Sequence, residues 1–243
     1  MPFTKVHYFK KISSTNEVAH DLAKKGAKEG EYVVAEQQTH GRGRLQRKWL
    51  SKPGNLYVSL ILRPKIAIQE ASHLTFVASL AVAKTLEKYL AMAPSLKWPN
   101  DVLVDGKKIA GILTEIATTG SKIDFVIVGI GMNINQEKFP KSLSQTAASL
   151  YQILGKPLKL DQVLEQLLQS FDEWYTAYLK QGFSVIKEMW EEKSVIIGRE
   201  VEVRDHRKRI KGLALGIDKN GARLLQIPSG ETVPVYTGDL ICF

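Results

Sequence analysis

The chain has 243 residues, 44% of them apolar and 24% charged, with eighteen glycines and nine prolines. That composition excludes collagen-like, disordered and low-complexity chains, and the longest apolar stretch, Leu74 to Ala83, falls far short of the roughly 20 residues of a membrane-spanning helix. The net charge of +9 lies wholly in the first hundred residues, where sixteen Lys and Arg face seven Asp and Glu. Such a surplus points to an anionic partner or to no more than a solvated basic face.

At this length one large core fits, with room for a second domain of roughly 50 residues. A short strand, Val6–Phe9, leads to Ser14-Thr15-Asn16-Glu17, which reads as a capping box for a helix over Thr15 to Lys25 with Val18, Ala19 and Leu22 facing in. Tyr32–Gln37 predicts a strand, His40–Lys52 a Gly/Arg loop, and Asn55–Leu62 a strand with Leu56, Val58, Leu60 and Leu62 alternating. Glu70–Ala91 predicts a long helix with Leu74, Val77, Ala81, Leu86 and Leu90 near one face. Ser95–Trp98 is a short strand. Val102–Val104 and Ile109–Ile116 form a hairpin through Asp105-Gly106, the pair that suits a type I′ turn. Phe125–Gly131 is an apolar strand, and Asp161–Leu179 and Phe183–Glu192 are helices. Beyond Gly198 five short strands follow at close spacing: Glu200–Asp205, Ile210–Ile217, Ala222–Pro228, Glu231–Val235 and Asp239–Phe243. The pattern divides the chain into a large domain, 1–194, and a small β-barrel, 195–243.

Four segments carry candidate chemistry. Gly41-Arg42-Gly43-Arg44-Leu45-Gln46-Arg47-Lys48-Trp49 sets four cations in seven positions, with glycines that let backbone N–H groups approach an anion and a tryptophan that offers a flat face to a base. Alone it is equally a solvated basic loop, and it is neither a Walker loop nor a dinucleotide fingerprint. In Lys97-Trp98-Pro99-Asn100-Asp101 the proline stiffens a turn from which Asn100 and Asp101 project; alone it reads better as a simple turn before a hairpin. Lys108 stands two residues past the hairpin tip, where it could neutralise an anion or simply face solvent. Gly129-Ile130-Gly131-Met132-Asn133-Ile134-Asn135 closes an apolar strand with glycines that permit close backbone approach, and Asn133 could read a base edge. The basic run Arg204 to Lys211 reads as an edge cluster. Five scattered histidines show no metal-ligand spacing and no nucleophilic triad. The lone Cys242 makes neither an internal disulfide nor a thiolate metal site, which fits a reducing cytoplasm.

In this order and spacing the segments resemble the biotin–protein ligases, the biotin–acetyl-CoA-carboxylase ligase family, most specifically from Ser13 to Asn135. The pieces that carry the resemblance are Ser14-Thr15-Asn16, Gln38, Gly-Arg-Gly-Arg, Trp49, Gly54-Asn55-Leu56-Tyr57-Val58-Ser59, Lys-Trp-Pro-Asn-Asp, Lys108-Ile-Ala-Gly111-Ile-Leu and Gly-Ile-Gly-Met-Asn-Ile-Asn. The resemblance implies an α+β fold with a class II synthetase-like mixed sheet and a small SH3-like β-barrel. It implies a ligase that forms biotinyl-5′-AMP from biotin and Mg-ATP, then passes biotin to one lysine of a biotin carboxyl carrier domain.

For the site it implies that Ser14, Thr15, Asn16, Gln38, Tyr57, Ser59, Gly41 and Gly111 surround biotin. Arg42, Arg44 and Lys108 would meet the carboxylate and phosphates, and Trp49, Asn100 and Asn133 the nucleotide, with Mg²⁺ near Asn100 held by no protein cluster of its own. Asp101 would orient or deprotonate the acceptor amine. Only thirteen residues precede Ser14, too few for the winged helix-turn-helix of some relatives, so a monofunctional ligase without sequence-specific DNA binding is expected; a homodimer is left open. Leu45-Gln46 departs from the more basic, glycine-containing pair of some relatives. The rivals are a lipoate or octanoate ligase or transferase of the same fold and a basic nucleic-acid-binding module.

Overall fold

The computed structural model describes residues 3–204 and 209–242; residues 1–2, residues 205–208 of the basic run, Phe243 and the Ile241 and Cys242 side chains lie outside the described residues. A seven-stranded sheet carries the larger part of the chain, built from β1 (Lys5–Ile12), β2 (Glu31–Gln38), β3 (Leu56–Leu62), β4 (Ser95–Lys97), β5 (Asp101–Val104), β6 (Lys107–Thr119) and β7 (Lys122–Met132) in the order β1-β2-β3-β7-β6-β5-β4. Only β1 and β2 run parallel, because helix α1 (Thr15–Lys24) carries the chain back between them. The β5–β6 turn has Asp105 and Gly106 at φ 49° and 70°, the left-handed pair that the Asp-Gly sequence predicts.

The alternation of β3 serves two cores. Leu56, Val58, Leu60 and Leu62 face the larger one, while Ile61 joins Val33, Phe125 and Ile127 against Ala19 and Ala23 of α1. All of β3 is therefore buried, and α1 packs through its alanines, with Val18 and Leu22 only partly buried. Helix α2 (His73–Glu87) is shorter than the predicted Glu70–Ala91, because Ile68–Ser72 forms a 3₁₀ turn in which Glu70 accepts a hydrogen bond from Ala67 N at 2.8 Å. It is apolar nearly all round rather than on one face, since the sheet covers one side and α4 (Leu160–Gln181) and α5 (Phe183–Glu192) cover the other. Each fully buried Leu or Val there stabilises the fold by about 1.5–3 kcal/mol. The sequence reading omitted α3 (Leu150–Leu154), although Ser149 and Gln152 form the capping box that starts it.

Strands β8 (Glu200–Arg204), β9 (Arg209–Ile217), β10 (Arg223–Gln226), β11 (Thr232–Val235) and β12 (Asp239–Cys242) form an antiparallel sheet in the order β11-β10-β9-β8-β12, the SH3-like unit. Its apolar side chains Val201, Val203, Ala214, Ile217, Leu225 and Leu240 merge with the main core. Polar bonds tie the two sheets together as well. Trp98 donates its indole N–H to Gly221 O at 3.2 Å, Glu191 accepts from Ile217 N at 2.7 Å, and buried His73 bonds Lys219 O at 3.0 Å while stacking on Phe183. The two units therefore share one interior.

Candidate active site

Strand register builds the floor of the site. Tyr57, Gly131, Gly111 and Asp101 stand in one row across β3, β7, β6 and β5, and Ser59, Gly129 and Leu113 in the next. Above them lies a cleft of about 570 Å³. A Cβ on Gly131 would come 2.6 Å from the Trp49 indole, one on Gly111 would come 3.0 Å from Trp49 and Lys108, and one on Gly129 would overlap Asn16 Oδ1. These glycines leave room for two side chains that lie directly on backbone. The Trp49 indole N–H is buried there and has no acceptor among the described residues, a cost of about 1–3 kcal/mol that a bound acceptor would remove.

The start of α1 supplies the polar wall. Ser14 occupies the N-cap position in extended conformation but makes no capping bond, and Glu17 accepts instead from Ser13 Oγ at 2.5 Å, so the expected box does not form. Ser14 is buried on the cleft wall, its hydroxyl not spent on the helix. Gln38 Oε1 accepts from both Thr15 N (2.7 Å) and Thr15 Oγ1 (3.1 Å), and its Nε2 donates to Ser51 Oγ at 2.8 Å. Asn16 donates to Leu113 O (3.2 Å) and Glu115 Oε2 (2.6 Å) and accepts from Ser59 Oγ at 2.6 Å. Both its amide hydrogens are thus committed to the protein. Ser59 is fully buried beneath Asn16 and does not reach the cleft wall. Gly41 is likewise outside that wall: it closes the base of the loop, where Trp49 N donates to Gly41 O at 2.8 Å and a Cβ would meet Trp49 O at 2.5 Å. Tyr57 lines the cleft and donates its hydroxyl to Lys52 O at 2.8 Å; burial raises its pKa.

Six cations line the cleft, and four of them have partners. Arg42 pairs with Glu115 at 3.0 Å, Lys108 with Asp101 at 2.5 Å, and Arg47 with Asp239 of β12. Arg44 donates to Asn100 Oδ1 (3.4 Å) and Thr237 Oγ1 (3.5 Å); burial lowers its pKa, opposed by Asp239 and Asp101. Lys108 also stands 5.2 Å from the Trp49 ring centroid, and its backbone is clamped on both sides, N–H to Thr146 O at 2.8 Å and carbonyl from Ala148 N at 3.1 Å. Asn100 donates to Ile112 O at 2.8 Å, which fixes the turn ahead of Asp101. Asn133 gives its amide hydrogens to Ala148 O (3.1 Å) and Lys108 O (3.4 Å), so the Oδ1 is what it offers the cleft. At the loop tip Leu45 and Gln46 adopt φ of 52° and 58°, a left-handed conformation that costs a side-chain-bearing residue about 1–2 kcal/mol each.

The cleft therefore gathers Ser14, Thr15, Asn16, Gln38, Arg42, Arg44, Trp49, Tyr57, Asn100, Asp101, Lys108, Gly111 and Asn133 along one wall or another. Sequence reasoning missed Glu115, the 139–147 loop, and Thr237 and Asp239 from the C-terminal sheet. Glu115 continues the alternation Gly111, Leu113, Glu115 on the cleft face of β6, a signal that was present but looked like an exposed strand residue. Asp239 meets Arg47 across almost the whole chain and left no local trace.

Residues 8–133 match the model of the biotin/lipoate A/B protein ligase family, and residues 196–241 match the biotin protein ligase C-terminal domain. The chain is 41% identical to the bifunctional ligase/repressor BirA of Bacillus spizizenii over 94% of its own length and 71% of that protein. It is 33% identical to the biotin–[acetyl-CoA-carboxylase] ligase of Paracoccus denitrificans, covering 92% of this chain and 95% of that one. The structure superposes on the biotin protein ligase of Aquifex aeolicus in complex with biotin and ATP with a TM-score of 0.85 and 33% identity over 98% of both chains. A second solved relative is the biotin protein ligase of Leishmania major in complex with biotinyl-5-AMP, TM-score 0.65 over 96% of this chain, where 23% identity speaks for the fold alone. With the family model spanning the polar wall, the loop and the lysine strand, and relatives aligned along nearly the full length, this chain belongs to the biotin/lipoate A/B protein ligase family.

Proposed function

We propose that the protein is an ATP-dependent biotin–protein ligase that forms biotinyl-5′-AMP and diphosphate, then transfers biotin to a lysine of a biotin carboxyl carrier domain in the cytoplasm. One observation carries the reading. A single cleft brings the uncharged hydrogen-bonding group Ser14, Thr15 and Gln38 together with the cations Arg42, Arg44 and Lys108 over a glycine floor. The uncharged wall suits a ureido ring, which presents both donors and acceptors. The cationic side suits a carboxylate and a phosphate placed side by side. The domain division at 194/195 is then one of labour: Thr237 and Asp239 bring the small domain to the arginine loop, although the interior is shared.

In the first step a biotin carboxylate oxygen attacks the α-phosphorus of ATP, and the bond to diphosphate breaks. Arg42 and Lys108 bring two anions together and Arg44 meets the charge that gathers on phosphorus, an electrostatic contribution of the kind worth about 10²–10³ in rate per group. Trp49 presents its ring and unpartnered N–H to the nucleotide, with Asn133 Oδ1 nearby. No cluster of three His, Cys, Asp or Glu that could hold a metal occurs among the described residues, and Asp101 and Asp239 are paired with cations. A magnesium ion carried on the ATP phosphates would supply charge neutralisation to the leaving diphosphate, and Asn100 Oδ1, which accepts from Arg44 at 3.4 Å, would be the neutral oxygen able to turn to it. In the second step the acceptor amine attacks the acyl carbon, AMP leaves, and Asp101 takes or orients the amine proton. The glycine-containing loop shields the labile anhydride from water.

The test is incubation with biotin, Mg-ATP and an apo carrier domain, read by intact mass. The expected result is one biotinyl group on the carrier and AMP in solution. Transfer of lipoate with biotin left unused would move the assignment to the lipoate branch. Salt-sensitive duplex binding without any acyl transfer would move it to the nucleic-acid module.

A further inference from the structure

Glu115 joins the start of α1 to the arginine of the loop. Its Oε2 accepts from Asn16 Nδ2 at 2.6 Å and from Arg42 Nη2 at 3.0 Å. Asn16 is locked from below by Ser59 and seated on Gly129, so that half of the contact is fixed. Arg42 belongs to the loop and is exposed, with Glu115 as its partner in both hydrogen bonding and charge. The carboxylate thus has one permanent donor and one that can leave. The Arg42 Nη2 that holds Glu115 Oε2 cannot at the same time complete a two-pronged grip on a ligand's carboxylate from that side.

We propose that Glu115 is a positioning residue that holds Arg42 at the edge of the cleft as a stand-in for the substrate's own carboxylate, and that a bound acid takes Arg42 over while Asn16 stays in place. This rests on the biotin-ligase reading. A ligand that must break the pair binds more weakly by what the pair contributes, and a ligand without a carboxylate leaves it intact. Breaking the pair is thus a cost that the free acid bears and that its esters and amides escape.

The pair is half-exposed, so its release is worth about 1.5- to 5-fold in affinity. Glu115→Gln keeps an oxygen for Asn16 and removes the charge facing Arg42. Calorimetry should show biotin binding 1.5- to 5-fold tighter in Glu115→Gln, biotin methyl ester unchanged, and no difference between Arg42→Ala and the Arg42→Ala/Glu115→Gln double variant. Equal weakening of acid and ester would overturn the proposal, leaving Glu115 as a support for Asn16 alone; tightening that persists without Arg42 would overturn it too. A ligand-free measurement separates this from the enzymatic assignment. Amide hydrogen exchange over residues 42–48 should quicken in Glu115→Gln, and unchanged exchange refutes the latch whether or not biotin binds. Failure of the unaltered protein to bind biotin refutes the function reading instead, and with it the stand-in role.

Discussion

Along β7, Val126, Val128, Ile130 and Met132 reach into the core under α2, while Gly129 and Gly131 on the opposite face present no side chain at all. Both faces are tightly packed, but by different means. The core face is filled by its own residues, and similar apolar shapes could substitute there for less than about 1.5 kcal/mol. The cleft face is filled by visitors, Asn16 from α1 and Trp49 from the loop, and every atom added to the strand is taken from them. One surface stores stability; the other stores position.

Adjacent residues on the strand separate these roles. Met132→Ala opens a void in a closed interior and should lower unfolding free energy by about 2–5 kcal/mol in urea titration. Its effect on the KM for ATP should be small. A variant that lost activity in proportion to stability, at temperatures where it remains folded, would show that the core face also tunes the site.

Gly131→Ala should do the reverse. The backbone there accepts an alanine, so the strain is confined to the indole that the new methyl would meet at 2.6 Å. Trp49 is partly exposed and can swing aside, so stability should change by less than about 1 kcal/mol. The loss should appear as a two- to tenfold rise in the KM for ATP, the worth of one aromatic contact. An unchanged KM would remove Trp49 from the nucleotide site.

The same contrast explains what could be read from the sequence. β3, β7 and the Asp-Gly turn are set by local rules, alternation and positive φ, and their observed forms follow those rules. Gly129 and Gly131 were legible as points of close approach, but not which side chains approach them. α2 looked one-faced because its second cover, α4 and α5, arrives from nearly a hundred residues downstream. Ser14 looked like a cap because Ser-x-x-Glu usually is one, and only the folded site shows the hydroxyl turned to the cleft wall instead. Glu115 showed only as the next step of an alternating strand face and Asp239 left no local trace, for a common reason. Each is an ordinary acidic residue whose meaning lies in a distant arginine, Arg42 or Arg47, brought to it by the loop.

The edge of the sheet offers a third kind of surface, held by charge, and the smallest of the expected effects. Glu31 at the start of β2 accepts from Lys28 N at 2.9 Å and from His7 Nε2 at 2.7 Å, with Lys5 at 3.5 Å. The Lys28 backbone bond, then His7 and Lys5, hold its carboxyl down at about 2, against an ordinary value of 4.5. A carboxyl depressed by folding binds fewer protons in the native state than in the unfolded one. It therefore stabilises fully above pH 4.5 and gives that stability up as pH falls from 4.5 toward 2. Glu31→Gln should cost about 1 kcal/mol at pH 6, because the buried amide keeps an acceptor oxygen and the Lys5 partner stands in solvent. The gap between the urea midpoints of the two proteins should narrow between pH 4.5 and pH 2. A gap that stayed constant through that range would mean that the edge is held by the shape of Glu31 rather than by its charge, and the sheet would then have two kinds of surface instead of three.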